Sequence, residues 1–95
     1  SRVIGQRTLI SMWNYAGSAQ AFAFFGRLGP VDRRRLLRVL DRMAAHPPAG
    51  ERSGLKDEAG RELLVWRDEG IEILFWLDQA ARELRIVEID WSTAP

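Results

Sequence analysis

The sequence predicts an α+β two-layer sandwich, with the element order β-α-α-β-β-β and a helix hairpin packed on an antiparallel sheet. Three observations predict it. Two stretches with helical spacing of apolar residues meet at Gly29-Pro30. The apolar period changes from helical to two near Gly60. Short turn signals, Asp68-Glu69-Gly70 and Asp78–Glu83, then separate three strand-like runs.

Taken in order, residues 1–7 read as a loose lead-in. Thr8 to Trp13 (TLISMW) is β-branched and apolar and reads as the first strand. Asn14 to Gly17 is a break, and Ser18 is a helix N-cap candidate. In AQAFAFFGRL the residues Phe22, Phe25 and Leu28 share one apolar face. Gly29-Pro30 ends that helix, and proline suits the first turn of the next. From Val31 to Ala45, Leu36, Leu37, Leu40, Met43 and Ala44 form a clear stripe, with most charges outside it. A tight Gly-Pro link makes the two helices an antiparallel hairpin. His46-Pro47-Pro48-Ala49-Gly50 ends the second helix, with His46 as a helix-end cap. Gly54 to Gly60 reads as a connecting loop.

The strand candidates are Arg61–Arg67, Ile71–Leu77 and Leu84–Trp91, joined as an antiparallel meander. Pairing Trp66 with Ile71 assigns the faces. Leu64, Trp66, Ile71, Ile73, Phe75, Leu77, Val87, Ile89 and Trp91 then face the helices. Leu63, Val65, Leu74, Trp76 and Ile86 fall on the open face, among Arg61, Arg67, Glu72, Glu88 and Asp90. A solvated sheet face is normally mostly polar. Half of this one is apolar, which marks it as a partner surface with Trp76 as anchor.

Composition narrows the chemistry. Ninety-five residues make one domain, 1–95, because a domain usually takes about 100–200. Absence of cysteine excludes disulfide scaffolds, thiol catalysis and thiolate metal sites. The single His46 excludes a cluster of imidazole ligands, and the carboxylates are not spaced as a metal loop. No metal or cofactor is expected. No apolar run reaches the ~18 residues of a membrane span, and no signal pattern opens the chain, so a cytoplasmic protein without membrane contact is expected. The net charge of +1 is unevenly divided. Residues 1–56 carry ten basic against three acidic side chains, and residues 57–95 carry four against ten. Arg34, Arg35, Arg38 and Arg42 line one helix, suited either to phosphate or to an acidic protein segment, or simply to solvent. Arg52, Lys56 and Arg61 form a small basic group at the entrance to the sheet.

The segments LGPVDRRRLLRVLDRMAAHPPAG, GLK, RELLVWRDEGIEILFWLD and LRIVEI, in this order, resemble the RelE/ParE toxins of bacterial type II toxin–antitoxin pairs. The resemblance runs from about Thr8 to Trp91. It implies a RelE/ParE-like fold, a cognate antitoxin as partner, and one of two activities. RelE-like members cleave mRNA in the ribosomal A site with lysine, arginine and a late tyrosine. ParE-like members poison DNA gyrase. The resemblance places Leu63 and Val65 where the nuclease branch carries cations on the second strand, and Glu72 at the matching third-strand position. Only Ser92, Thr93, Ala94 and Pro95 stand where the late arginine and tyrosine are expected. A shift of one residue would bring in Arg61 or Arg67, so Lys56, Arg61 and Arg67 stay the catalytic candidates. The reading is therefore a ParE-like toxin that acts by protein binding through Leu63, Val65, Leu74, Trp76 and Ile86, with Arg34, Arg38 and Arg42 on the helix side. A mRNA endoribonuclease is the alternative, and a repurposed binding domain, homodimeric through its open face, the third.

Overall fold

The computed structural model of the chain describes residues 13–91. The elements are β1 (Asn14–Gly17), α1 (Ala19–Arg27), α2 (Pro30–Ala45), β2 (Glu51–Lys56), β3 (Glu62–Asp68), β4 (Ile71–Asp78) and β5 (Glu83–Trp91). One five-stranded sheet runs β1-β5-β4-β3-β2. β1 is parallel to β5, and every other pairing is antiparallel. Both helices pack on one face, as expected. Leu36, Val39, Leu40 and Met43 of α2 and Ala21 of α1 meet Ile71, Ile73, Phe75, Leu84, Ile86, Ile89 and Trp91 of the sheet.

Local chemistry explains the helix limits. The Ser18 hydroxyl accepts from the Ala21 N–H at 3.1 Å, which caps α1. Pro30 opens α2, and His46 closes it with its backbone N–H on the Arg42 carbonyl at 3.0 Å. The β3–β4 hairpin is tighter than expected. Asp68 pairs with Ile71 and Trp66 with Ile73, leaving Glu69-Gly70 as a two-residue turn. Both turn residues have positive φ, 54° and 80°, as a type I′ hairpin requires. Glu69 is held there by Arg42, 2.8 Å from its carboxylate. The two-residue slide keeps the alternation, so the faces of β3 and β4 stand as predicted.

The faces of β5 do not. Leu74 pairs with Glu88, but its neighbour Phe75 pairs with Ile86. Val87 is therefore an extra residue, a β-bulge. Beyond it the alternation inverts, so Ile86 and Leu84 face the helices and are buried. Ile86 leaves the open face, and Val87 leaves the core face it was expected to share. Periodicity cannot reveal a bulge; the contact that holds it is tertiary. The Ser18 hydroxyl donates to the Val87 carbonyl at 2.6 Å, and the Ser18 N–H to the Ile86 carbonyl at 2.9 Å.

Four further expectations are corrected. Asn14–Gly17 is a strand and not a break, because a parallel ladder to Glu83–Ile86 overrides its weak strand propensity. Trp13 precedes it, and Thr8–Met12 of the expected first strand lie outside the described residues. Residues 51–56 form edge strand β2, with an irregularity between Arg52 and Lys56, where a loop was expected across Gly54–Lys56. Phe22 was expected in the core but is 77% exposed. Ser18 ties the start of α1 to β5, so small Ala21 takes the contact and Phe22 follows about 100° further round the helix. Trp66 was also expected in the core. It lies on the helix side of the sheet, but β3 is beyond the cover of α2, and Trp66 stays 36% exposed.

Phe75 is fully buried, and its ring passes where a Cβ on Gly50 would sit, 3.1 Å away. Gly50 also has φ of 70°, so the α2–β2 connection needs glycine on both counts. Phe75→Ala is expected to cost about 3–5 kcal/mol in chemical denaturation. Ser18→Ala removes the α1 cap, and it is expected to cost about 1–2 kcal/mol. Its amide spectrum should shift at Ile86 and Val87, 68 residues or more away in sequence.

Candidate functional site

The face of the sheet turned away from the helices is laid out in rows across the strands. Arg67, Glu72 and Asp90 are successive partners in one row. Glu51, Val65, Leu74 and Glu88 form the next, and Trp76 pairs with Arg85 beyond it. A hollow of about 290 Å³ lies over the first two rows, bordered on the β2 side by Ser53 and Leu55.

The arginines here are engaged. Arg67 donates to Glu51 at 2.9 Å and pairs with Glu72 at 2.8 Å. The Glu51 hydrogen bond, then the field of Glu72, raise its already high pKa. Arg61 is pinned by Asp57, whose carboxylate takes its backbone N–H at 2.9 Å and its Nε at 2.8 Å. The same carboxylate accepts the Ala59 N–H. The Arg61 backbone bond, helped by its guanidinium, holds the Asp57 carboxyl below the usual carboxylate range. So held, the Arg61 guanidinium lies 3.7 Å from the centroid of the Trp76 ring, with Arg85 5.6 Å from the same ring. This is cation–π geometry. Trp76 is thus on the predicted face, half-buried, but covered by its own chain. Leu63 is on that face too, yet buried and outside the main core cluster, so it offers no contact surface. Val65 and Leu74 are half-buried in the hollow.

The basic group expected at the sheet entrance is interrupted by carboxylates. Lys56 pairs with Glu62 in the β2–β3 ladder, and Arg52 lies 3.7 Å from the same carboxylate. Glu62 and Arg61 are consecutive and take opposite faces.

The helix arginines divide as well. Arg42 is a clamp, 3.0 Å from Asp68 and 2.8 Å from Glu69 at the β3–β4 turn. Hydrogen bonds to both, Asp68 foremost, raise its pKa. Arg35 reaches Glu69 at 3.8 Å and lies over Trp91. Arg34 and Arg38 are exposed, and among the described residues neither enters an ion pair. Sequence reading missed two features: the role of Asp57, whose signal was an Asp just ahead of the Glu58-Ala59 turn, and a second hollow. That hollow, about 470 Å³, lies between the end of α2 and exposed Trp66, with Met43, His46 and Pro48 in its walls.

No protein-family model matches the sequence, and no curated protein matches it. Solved structures do match the fold. A chain of the RelBE2 toxin–antitoxin complex of Mycobacterium tuberculosis superposes with a TM-score of 0.70 at 14% identity, over 90% of this chain and 97% of that one. A chain of the intact Escherichia coli RelBE complex gives 0.62 at 14% identity, over 86% and 99%. A chain of the archaeal RelE–RelB complex of Pyrococcus horikoshii gives 0.62 at 13%, over 88% and 99%. The chain thus has the two-helix, mixed-sheet α+β fold of the RelE toxins. No helix among the described residues is long and apolar enough to cross a membrane.

Asp57→Ala is expected to release Arg61 and shift the Trp76 indole N–H resonance. Acid should act likewise. The folded pKa of Asp57 lies below its unfolded value near ~3.9, so its stabilisation is present above that value and is lost as pH falls through the folded pKa. In a pH titration followed by NMR, the Trp76 signal should move in that acid window in the wild type and stay flat in Asp57→Asn.

Proposed function

We propose that the chain is the toxin of a type II toxin–antitoxin pair, acting by protein binding as ParE-like members do and neutralised by a cognate antitoxin. The likeness to chains solved within toxin–antitoxin complexes supports the general reading. One observation carries the choice of mechanism: the open face holds no free cation cluster among the described residues. Cleaving RNA with side chains alone needs fixed cations on a phosphate whose charge grows in the transition state. It also needs a proton acceptor and donor at the reacting oxygens. Here Leu63 is buried, Val65 is apolar and Glu72 is anionic. Arg67 is held between two carboxylates and Arg61 is held by Asp57. Glu88 and Asp90 add further negative charge in the hollow.

The antitoxin would be met on the helix side, where Arg34 and Arg38 enter no ion pair among the described residues and Phe22 and Val31 of the same two helices are exposed. An acidic, apolar-faced segment suits that surface. The mRNA endoribonuclease is the second reading, favoured by the RelE identity of the matching structures. It requires Arg61 or Arg67 to leave its carboxylate.

Induction in a bacterial host should arrest growth, and coexpression of the adjacent gene should relieve it. Primer extension on mRNA from purified, programmed ribosomes should show no A-site cleavage, while a DNA-supercoiling assay should show gyrase inhibition. A-site cleavage abolished by Arg61→Ala or Arg67→Ala would reverse the order of the two readings. Arg34→Glu with Arg38→Glu should weaken the antitoxin complex by roughly tenfold or more in calorimetry, with thermal melting unchanged.

A further inference from the structure

We infer that the hollow on the open sheet face docks an extended, cationic stretch of polypeptide in which arginine or lysine alternates with apolar residues. The inference rests on the protein-binding reading above and names the chemistry of what this face binds.

The charge around the hollow is out of balance. Its two rows hold four carboxylates, Glu51, Glu72, Glu88 and Asp90, and one guanidinium, Arg67, and Arg67 is already shared between Glu51 and Glu72. Glu72 and Asp90 are direct cross-strand partners. Like charges in that position repel. Among the described residues no ion pair reaches Glu88 or Asp90. The free chain carries this repulsion, and an arriving cation removes it.

The floor makes a second demand. Val65 and Leu74 are direct partners at the centre of the hollow, with Leu55 at its border. Acids alone would suit a solvated face or a small cation; acids around an apolar floor need a ligand with both characters. Arginine and lysine have both, a charged head on an apolar stem. The geometry favours an extended form. Glu88 and Asp90 are two apart on one strand, a repeat of about 6.8 Å, which is the repeat of side chains along one face of an incoming strand. A helix, with its pitch of about 5.4 Å, does not match it. Nucleic acid is disfavoured by the sign of the charge.

The test uses three probes titrated calorimetrically into the full chain: a hexapeptide of alternating arginine and valine, its glutamate–valine counterpart, and oligouridylate. Only the arginine–valine peptide should bind, with affinity falling as salt rises. The Glu88→Gln/Asp90→Asn double variant should lose roughly tenfold or more of that affinity. Both side chains are exposed, and thermal melting checks the fold. Leu74→Lys, which fills the floor with a cation, should give the same loss by a different route. No binding of the arginine–valine peptide to the wild type, or unchanged affinity in the double variant, overturns the inference. So does oligouridylate binding, which would return the face to RNA. Self-association in sedimentation that the same variants abolish would also overturn it, in favour of a second copy. The growth and coexpression assays are read on the wild type, so failure of the toxin reading is seen there and failure of the groove here.

Discussion

The arrangement of the sheet depends on one extra residue, Val87, and on the serine that holds it. Ser18 ends β1, caps α1 and bonds to the Ile86–Val87 backbone of β5. One side chain thus joins a strand end, a helix start and a bulge. With the bulge in place, β5 presents Leu84, Ile86, Ile89 and Trp91 to the helices. Without it, one half of the strand would turn its apolar residues to solvent, since a one-residue slip reverses every side chain. Burying Leu84 and Ile86 is worth several kcal/mol, at about 1.5–3 each. That gain outweighs the ladder bond a bulge gives up, whose net worth is about 0.5–1.5 kcal/mol.

Electrostatics follow the same two layers. The helix side carries a surplus of arginine, and the open sheet face carries a surplus of carboxylate. The layers are tied where Arg42 reaches over the edge to Asp68 and Glu69. These pairs are exposed, so solvent screens them and each contributes little to stability. Their larger effect is positional, because they hold Glu69 in the left-handed turn that sets the β3–β4 register. A near-neutral chain therefore shows two surfaces of opposite sign, and partners of opposite chemistry can be sorted between them.

The RelE-type fold does not by itself fix an activity, so the proposed function rests on side chains, those of the open face among them. Here they are carboxylates, aliphatics and arginines already committed to neighbours. Arg61 is spent covering Trp76, and Arg67 is spent bridging strands. A face so arranged is poor at gathering phosphate.

Much of this was legible from residues alone. Helical spacing in Leu36–Ala44, the Gly29-Pro30 link, the Ser18 cap and the period-two runs after Gly60 determined a helix hairpin and a three-stranded meander. These are local signals: steric limits on φ, capping chemistry and alternation. Alternation also placed Val65, Leu74, Trp76, Glu72, Glu88 and Asp90 on one face, since no bulge intervenes between them on their own strands except at Trp76's partner. What local signals could not decide was anything set by a distant partner. The strand at Asn14–Gly17 exists because β5 lies beside it, and edge strand β2 because β3 does. Ile86 is buried because Ser18, far back in the chain, holds Val87 out of register. Phe22 is exposed because Ala21 gives the closer approach, and Trp66 because α2 ends short of β3. The pairing of Arg61 and Arg67 with carboxylates was likewise invisible, for charges in a sequence have no distances until the tertiary structure supplies them.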